Sequence, residues 1–364
     1  MLPEARELLP DLEAALKSKR LSNNGKFVRR LERRMREVLA APHVVATASC
    51  TLGLVVAMRA LGWRGEVIAP SFSFAATAHA IVWAGCTPVL ADIDPKTFLL
   101  DPASVERLCG PQTAGVLAMD VFGLPSDVEE LEAAAGMVPV LFDAAHSLGS
   151  VRPGRRAPRA AVYSLHATKT FVAGEGGLFA TTDAELAQRF RRLINFGFVS
   201  DGYDCDEVGI NAKLPELSAI LAYHQVDFLK RILQGREQWN ATYRAVLADV
   251  PGLRFQELPA DRSSNYQYTA LVVDERAFGR SRDALVAALL AHNVVAKPYF
   301  SPPIHQMSCY AGKLRCDDLR HTEALAAATL CLPIHPEEPL STAERIAELV
   351  RSLAHSRATA QHRV

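Results

Sequence analysis

The sequence has no excess of charge of either sign. Its 364 residues include 40 lysines and arginines and 40 aspartates and glutamates. Nucleic acids and anionic membranes attract proteins that carry a surplus of basic residues. The balanced charge therefore argues against both, and it favours small molecules or further copies of the same chain as partners.

Cysteines are few, and long apolar runs are missing. The seven cysteines are odd in number, scattered and without a Cys-x-x-Cys pair, which argues for reduced thiols rather than a disulfide framework. His305, Cys309 and Cys316 lie close together but lack the spacing of metal ligands, so we expect no metal site. No segment approaches the ~20 consecutive apolar residues that span a membrane. We therefore expect a globular, cytoplasmic protein.

The sequence does contain a regular alternation of two kinds of segment. Short apolar or β-branched runs are mostly separated by longer stretches of helical composition; the runs read HVVATAS, GEVIAPS, TPVLADID, AGVLAMDVFG, VPVLFDAAHS, AAVYSLHATK and GGLFATT. Such alternation is typical of a mostly parallel sheet, here of seven strands, that is covered by helices on both faces. We predict an α/β fold with a large domain over residues 1–240.

The character of the sequence changes after about residue 240, where we predict a smaller α/β domain over residues 241–364. Its expected strands are GLRFQELP, YQYTALVVD and NVVAKPYF. The helical stretch from 216 to about 249 is expected to join the two domains rigidly. Capping boxes at Thr182-x-x-Glu185 and Ser341-x-x-Glu344 predict two helix starts, and the apolar repeat in KFVRRLERRMREVL predicts an amphipathic helix.

Candidate ligand-binding residues follow the first two strand runs. In open parallel sheets, ligands bind beyond the carboxyl ends of the strands. Ser49, Cys50 and Thr51 follow the first run and open a helix, whose free backbone N–H groups form either an anion site or an ordinary N-cap. Phe74 follows the second run, where an aromatic ring either stacks on a flat ligand or fills the core.

Titratable residues follow two later strand runs. Asp143 ends an apolar run, where a carboxylate requires a charged or hydrogen-bonding partner or serves as an N-cap. His146 stands three residues further on, and a lone histidine is more often structural than catalytic. The run AAVYSLHATK supplies Ser164, His166 and Lys169 together.

The residue types at these strand ends match the requirements of one cofactor, pyridoxal 5′-phosphate. It needs a lysine that bonds to its aldehyde, a carboxylate that keeps its ring nitrogen protonated, a flat side chain over the ring, and hydroxyls at a helix start for the phosphate. Lys169, Asp143, Phe74 and Thr51 offer these groups. Their order on successive strand ends is hard to obtain by chance.

The chain resembles, over nearly its whole length, the sugar aminotransferases of the DegT/DnrJ/EryC1/StrS family, which belong to the fold type I pyridoxal-phosphate enzymes. The matching segments are NNGKFVRRLE, APSFSFAATAHAIVWAGCTPVLADIDPKTFLLDP, LFDAAHSLG, SLHATKTFVAGEGG, GINAKLPELSAILA and PYFSPPIH. The second and fourth segments are the specific ones. The resemblance implies a fold type I transferase with a smaller C-terminal α/β domain and an aminotransferase that depends on pyridoxal phosphate.

The resemblance also implies how the cofactor ring is held. Lys169 bonds covalently to the cofactor, and Asp143 pairs with the pyridine nitrogen. Phe74 stacks on the ring, and His146 lies near the phenolic oxygen.

The phosphate site is implied in the same way. Thr51 and Ser164 bind the phosphate together with the backbone donors of Ser49 and Cys50, although the family often has Ser-Gly-Thr where this chain has Ser-Cys-Thr. An asparagine from the neighbouring subunit completes the site in this family, and GINAK offers Asn211 for that role. The resemblance therefore implies a homodimer whose active sites are shared between the two chains.

For the reaction, the resemblance implies transamination of a nucleotide-linked keto-deoxysugar with glutamate as amino donor, in amino-sugar biosynthesis and natural-product glycosylation. NNGKF, PYFSPPIH and RRLINFGFVSDGYD are most similar to members that aminate C4 of dTDP-4-keto-6-deoxyhexoses such as dTDP-4-keto-6-deoxyglucose. His166, Lys213, Tyr299 and His305 are the polar residues available to the sugar nucleotide. Lys213 stands where many members have arginine, and lysine lacks the forked contact of a guanidinium group.

Other interpretations stay open at this point. The acceptor could be a dTDP-3-keto-6-deoxyhexose aminated at C3, or a keto-inositol in aminocyclitol biosynthesis. Dehydration is a further reaction of the family, but the members that dehydrate lack the lysine, so Lys169 argues against it. A non-catalytic sensor of pyridoxal phosphate or a sugar nucleotide is opposed by the intact set of Lys169, Asp143 and Phe74, and by the lack of a DNA-binding helix pair or basic arm.

Overall fold

The seven strand runs predicted before residue 240 lie side by side in one mixed sheet. The computed structural model describes residues 1–152, 154, 156–199 and 204–354, and every element given below lies within these ranges. The strands are β1 (His43–Thr47), β2 (Glu66–Pro70), β3 (Thr87–Ala91), β4 (Thr113–Met119), β5 (Val140–Asp143), β6 (Ala160–Ser164), β7 (Gly177–Thr181), β8 (Leu253–Phe255), β9 (Thr269–Val273), β10 (Arg315–Cys316) and β11 (Thr329–Leu332).

The large sheet has the strand order β1-β7-β6-β5-β4-β2-β3-β10. β7 runs antiparallel to both of its neighbours, β1 and β6, whereas the other pairs of this sheet are parallel. The carboxyl ends of β1 to β6 therefore share one edge with the amino end of β7. The mostly parallel sheet is confirmed, and it gains an eighth strand because the two residues of β10 pair with β3.

Helices cover both faces of this sheet, as predicted. The helices are α1 (Ala5–Ser18), α2 (Lys26–Val38), α3 (Cys50–Ala60), α4 (Ala75–Trp83), α5 (Pro102–Leu108), α6 (Val128–Ala135), α7 (Ala184–Leu193), α8 (Glu216–Gln225), α9 (Leu229–Leu247), α10 (Glu275–Phe278), α11 (Arg282–Ala291), α12 (Arg320–Ala328) and α13 (Leu340–Leu353). Alternate residues of a strand point to opposite faces. Val44 and Ala46 of β1 accordingly share a core with α2 and α8, whereas Val45 shares one with α3 and α7. The predicted amphipathic helix is α2, which buries Phe27 and Leu31.

A second, antiparallel sheet has the order β11-β9-β8. Leu271 of β9 packs in one core with Trp239 of α9, Leu289 of α11 and Val350 of α13. Because α9 contains residue 240 and also packs on this sheet, the division into domains at that residue stays a prediction.

One strand prediction in the C-terminal part is wrong, and one strand was missed. NVVAKPYF forms no strand; only Lys297 pairs with Cys331, as an isolated bridge. Pro298 has no backbone N–H to continue a ladder, which explains the interruption. The strand that pairs with β9 on this side is β11 instead. It was missed because its four residues follow the alanine-rich end of α12 without a turn signal between them.

The two predicted capping boxes are also displaced. The N-cap of α7 is Asp183, whose side chain accepts a hydrogen bond from Leu186 N at 3.0 Å, and not Thr182. Helix α13 begins at Leu340 after Pro339 in the N-cap position, so Ser341 lies inside its first turn. A helix long and apolar enough to cross a membrane does not occur among the described residues.

Candidate active site

The strand ends named in the sequence converge on one cavity of about 670 Å³ at the carboxyl edge of the large sheet. Gly177, at the start of β7, pairs with Thr47 on one side and with Ser164 on the other, so β1, β6 and β7 meet at this edge. Ten of the thirteen predicted site residues line the cavity: Ser49, Cys50, Thr51, Phe74, Asp143, His146, Ser164, His166, Lys169 and Tyr299.

Helix α3 directs its amino end into this cavity. Ser49 is the N-cap, and its Oγ accepts a hydrogen bond from Leu52 N at 3.2 Å. Two glycines let the helix lie close to the sheet. A Cβ at Gly53 would stand 2.8 Å from Val162 Cγ1, and a Cβ at Gly177 would stand 2.8 Å from Cys50 N. The free N–H groups of an eleven-residue helix therefore open beside Thr51 and Ser164, an arrangement that favours an anion.

Asp143 is a buried carboxylate at the carboxyl end of β5, with 3% of its surface exposed. Thr77 Oγ1 donates a hydrogen bond to its Oδ2 at 3.1 Å, and Ala145 N donates one to Oδ1 at 3.2 Å. Burial raises the pKa of Asp143 to about 6, against the lowering effects of these bonds and of Lys169. No described residue forms an ion pair with it. A positively charged N–H group of a ligand would therefore stabilise its ionised form.

Lys169 lies in the loop between β6 and β7. The loop continues the hairpin: Leu165 N donates to Gly176 O and Ala167 N donates to Gly174 O, both at 2.9 Å. Burial lowers the pKa of the Lys169 ammonium below its usual value. Among the described residues, its amine has no hydrogen-bond or ion-pair partner. A half-buried amine that deprotonates more easily than usual is suited to attack a carbonyl group.

Several aromatic rings line the cavity. Phe74 is 58% exposed at the N-cap of α4, so the alternative that it fills the core is wrong. His146 is buried, and its Nδ1 accepts a hydrogen bond from Phe122 N at 3.3 Å. Burial lowers the pKa of His146 well below its usual value, so the ring is neutral. Tyr268 meets it edge to face, with ring centroids 5.5 Å apart.

Three predicted residues lie outside this cavity. Lys213 Nζ donates to Asn195 Oδ1 at 2.6 Å in a separate cavity of about 170 Å³. Asn211 is exposed and its backbone pairs with that of Asn195. His305 lies elsewhere, with its Nδ1 2.8 Å from Ser71 Oγ. The structure therefore does not bring these three side chains to Lys169 within one chain.

Among the cavity residues that the sequence did not point to, Thr77 and Tyr268 contact predicted site residues. Thr77 donates to Asp143, and its signal was a hydroxyl in the first turn of the helix after Phe74. Tyr268 reaches the cavity from the residue before β9, far along the chain, and carries no local signal.

The lining residues fit pyridoxal 5′-phosphate. The ring N–H⁺ of the cofactor matches the buried Asp143, its aldehyde matches the unpartnered Lys169 amine, and its phosphate matches the amino end of α3. Phe74 and His146 offer flat surfaces to the ring.

Among the described residues, there is no group of three or more histidine, cysteine or acidic side chains that could hold a metal ion.

The fold and the cavity together define a pyridoxal-phosphate enzyme with a mixed α/β architecture. Residues 4–351 match the family model of the DegT/DnrJ/EryC1/StrS aminotransferases, and the chain belongs to this family. The protein is therefore an aminotransferase that depends on pyridoxal phosphate.

Individual relatives agree with this assignment. A dTDP-4-amino-4,6-dideoxy-D-glucose transaminase of Escherichia coli is 33% identical over 344 residues, which cover 92% of each chain. The crystal structure of DesI in the presence of its TDP-sugar product is similar with a TM-score of 0.92 and 39% identity, covering 97% of this chain and 91% of DesI. S. venezuelae DesV in complex with a ketimine intermediate has a TM-score of 0.90 and 28% identity, covering 96% of this chain and 95% of DesV.

Proposed function

We propose that the enzyme transfers the amino group of glutamate to C4 of dTDP-4-keto-6-deoxyglucose in amino-sugar biosynthesis, in the cytoplasm and for natural-product glycosylation. The main support is that Lys169 and Asp143 line the same cavity. The chain is also 33% identical to a dTDP-4-amino-4,6-dideoxy-D-glucose transaminase. The name of that relative places the amine at C4, and DesI was crystallised with a TDP-sugar product. Both favour C4 amination of a dTDP-sugar over the cyclitol alternative.

In this proposal Lys169 has two tasks. Its amine would hold the cofactor covalently and, once displaced by the amino donor, would act as the base and then the acid for the proton at the substrate carbon. The lowered pKa of Lys169 favours the neutral amine that both tasks require. Bound pyridoxal phosphate supplies an aldehyde for the amine and a ring that withdraws electrons from the carbon being deprotonated.

Asp143, Phe74 and His146 hold the cofactor in this proposal. The Asp143 carboxylate keeps the ring nitrogen protonated, and the hydrogen bond from Thr77 fixes the orientation of that carboxylate. Phe74 covers one face of the ring, and the neutral His146 lies near the phenolic oxygen. Thr51, Ser164 and the amino end of α3 bind the phosphate.

Only two of the four expected sugar-binding residues line the same cavity as Lys169. The His166 side chain is 43% exposed, with its Nε2 3.5 Å from Glu175 Oε1, and Tyr299 also lines the cavity. Lys213 could serve the sugar nucleotide only from a second chain, because it opens into a different cavity of its own chain. His305 contacts Ser71 and Glu323 outside the cavity that contains Lys169.

A homodimer with shared sites is part of the proposal. Exposed apolar side chains surround Asn211 in the sequence: Phe196, Val208, Ile210 and Leu217 are between 38% and 84% exposed. Phe196 N donates to Ile210 O at 3.1 Å, so at least two of these residues are neighbours, and exposed apolar side chains that lie together mark interfaces between chains. If a second chain covers it, Asn211 comes to an interface, as the family resemblance implies.

The experiment that tests the function follows the colour of the cofactor. Purified enzyme is treated with glutamate until the absorbance of the bound aldehyde disappears, and is then offered separate keto acceptors. We expect dTDP-4-keto-6-deoxyglucose to restore the colour and NMR of the product to show nitrogen at C4. Recovery with only a dTDP-3-keto-6-deoxyhexose or a keto-inositol would assign the enzyme to that acceptor instead. An enzyme that glutamate does not bleach would contradict the proposed donor.

A further inference from the structure

One buried side chain that was not among the predicted site residues forms hydrogen bonds with the residues on both sides of Lys169. Gln267, which is 1% exposed, precedes β9 by two residues. Thr170 N and Thr170 Oγ1 each donate a hydrogen bond to Gln267 Oε1 at 2.8 Å. Gln267 Nε2 donates a bond to Thr168 O at 2.9 Å. The amide therefore contacts the residue before and the residue after Lys169.

The backbone of Gln267 is itself fixed on both sides. Its N–H donates to Asn265 Oδ1 at 2.8 Å, and its carbonyl accepts a bond from Arg236 Nη2 at 2.7 Å. Asn265 Nδ2 in turn donates to Leu148 O at 2.8 Å. A Cβ at Gly123 would stand 2.1 Å from Asn265 Oδ1, so this close packing requires glycine there. A side chain anchored in this way can orient what it contacts.

Apart from the contacts of Gln267 with its two neighbours, few interactions fix the position of Lys169. Its amine has no partner among the described residues, and its own backbone N–H bonds only within the loop, to His166 O at 2.9 Å. The far limb of the loop is held by Gln225, whose Oε1 accepts a bond from Val172 N. The position of the Lys169 backbone in the cavity lining therefore depends on the contacts of Thr168 and Thr170.

We propose that Gln267 is a positioning residue for Lys169, and the proposal rests on the proposed function in that Lys169 is the reactive amine. The task needs an acceptor toward Thr170 and a donor toward Thr168 on the same side chain, which an amide provides and a carboxylate or alkyl group does not. Because Gln267 adjoins β9, it also connects the three-stranded sheet to the reactive loop.

The test compares Gln267→Leu with Gln256→Leu. Gln256 is a matched control, since it is also buried, follows β8, and donates to Thr97 O at 2.6 Å without contacting the lysine loop. Both variants lose a buried amide, so both are expected to lose stability. Only Gln267→Leu is expected to speed hydrogen–deuterium exchange of residues 165–176 in the cofactor-free protein, a readout that does not depend on catalysis.

The loaded enzymes are then compared in a single half-reaction with glutamate. Misplacement of a catalytic group by about 1 Å costs roughly 10²-fold in rate. We expect Gln267→Leu to slow the bleaching step by ~10-fold to 100-fold with little change in glutamate affinity, and to shift the pH midpoint of the visible absorbance. Gln256→Leu is expected to keep the wild-type rate and midpoint.

A double variant shows whether the contact to Thr170 carries the effect. Thr170→Val removes the hydroxyl donor but keeps the backbone N–H. If the two side chains act together, the rate lost in the combined variant will be smaller than the product of the two separate losses. Simple multiplication of the losses would show independent effects and would contradict the proposed contact.

The outcomes separate this inference from the proposed function. Borohydride reduction and peptide mapping of the wild-type enzyme come first, and a cofactor bond on a residue other than Lys169 overturns the function. If Lys169 carries the cofactor but Gln267→Leu matches Gln256→Leu in exchange, rate and midpoint, then Gln267 is a structural residue only and the inference is overturned.

Discussion

At the scale of single residues, Asp143 shows how the fold prepares a group for one ligand. It is buried with three neutral hydrogen-bond donors, Thr77 Oγ1, Ala145 N and, at 4.0 Å, Cys50 Sγ, and it has no ion-pair partner among the described residues. Water no longer stabilises its charge, and these neutral donors replace that solvation only in part. The carboxylate is therefore more stable with a protonated ring nitrogen beside it than in the cofactor-free protein.

This environment predicts a pH dependence of stability in the cofactor-free protein. The pKa of Asp143 is about 6 in the folded chain, above the ~3.9 of an unfolded aspartate. Its contribution to stability is complete below about pH 4 and is lost as the pH rises through about 6. Two pKa units correspond to about 3 kcal/mol. We expect Asp143→Asn, measured by urea unfolding, to gain about that much relative to wild type between pH 4 and pH 7.5. Parallel pH curves for the two proteins would contradict the assignment.

Lys169 is the second residue with a definite prediction. Replacing it with alanine removes both the covalent attachment and the proton carrier, so the half-reaction with glutamate should slow by roughly 10³-fold or more. The cofactor should still bind through phosphate and ring contacts. Stopped-flow absorbance measures the rate, and Lys313→Ala is a control on an exposed lysine whose Nζ donates to Cys309 O. Near-normal turnover of Lys169→Ala would contradict the proposed function.

At the scale of elements, the amino end of α3 depends on two glycines that have no side chain to hold it away from the sheet. A Cβ at Gly177 would meet Cys50 N and the carbonyl carbon of Ser49, both at 2.8 Å. Rigid backbone cannot yield as a flexible side chain can. The helix start must therefore move if this position carries a side chain.

We accordingly predict that Gly177→Ala weakens cofactor binding. Overpacking of this kind typically costs 1–3 kcal/mol of free energy. Because the helix start must move to relieve it, we expect this cost to fall on cofactor binding, where about 1.4 kcal/mol corresponds to a tenfold lower affinity. The dissociation constant of pyridoxal phosphate, measured by fluorescence titration, should rise about tenfold or more. Gly110→Ala is the matched control, because a Cβ there would have no neighbour within 4 Å. Equal affinities in both variants would mean that the start of α3 does not hold the phosphate.

The secondary-structure elements show which parts of the fold and of the site could be predicted from the sequence. Strand runs were predictable because apolar residues recur in short blocks, and the ends of those blocks located Ser49, Phe74, Asp143 and Lys169. Gln267, which bonds to both neighbours of Lys169, was not predictable from the sequence, because it lies 97 residues from Thr170. Contacts of that separation follow from the packing of whole elements, and a local pattern does not contain them.

The same limit applies to the small sheet. β11 lacked a boundary signal, and NVVAKPYF had strand composition but contained a proline that interrupts the ladder. Composition identified an α/β unit there, whereas the pairing of β9 with β11 is set by the helices packed on that sheet.

At the scale of the whole molecule, the outstanding question is where Asn211 acts. Its backbone pairs with that of Asn195, its side chain is exposed, and it lies outside the cavity that contains Lys169. Two identical chains related by a two-fold axis would bring each Asn211 segment to the other chain by the same contact. The alternative is that Asn211 has no part in the site.

Mixed dimers decide between these cases. Lys169→Ala and Asn211→Ala are co-expressed with different tags, and each homodimer is expected to have low activity. If Asn211 serves the neighbouring site, a mixed dimer contains one site with both residues intact, and random pairing restores about one quarter of the wild-type sites. If Asn211 has no part in the site, the Asn211→Ala homodimer keeps wild-type activity; if Asn211 acts within its own chain, no intact site forms in the mixed dimer and activity stays low. Lys169→Ala mixed with Asp143→Asn is the control: both residues line the cavity of the same chain, so exchange cannot rebuild a site. Recovery in the first mixture and not in the second would establish that two chains build each site, because pairing is the only variable that separates them.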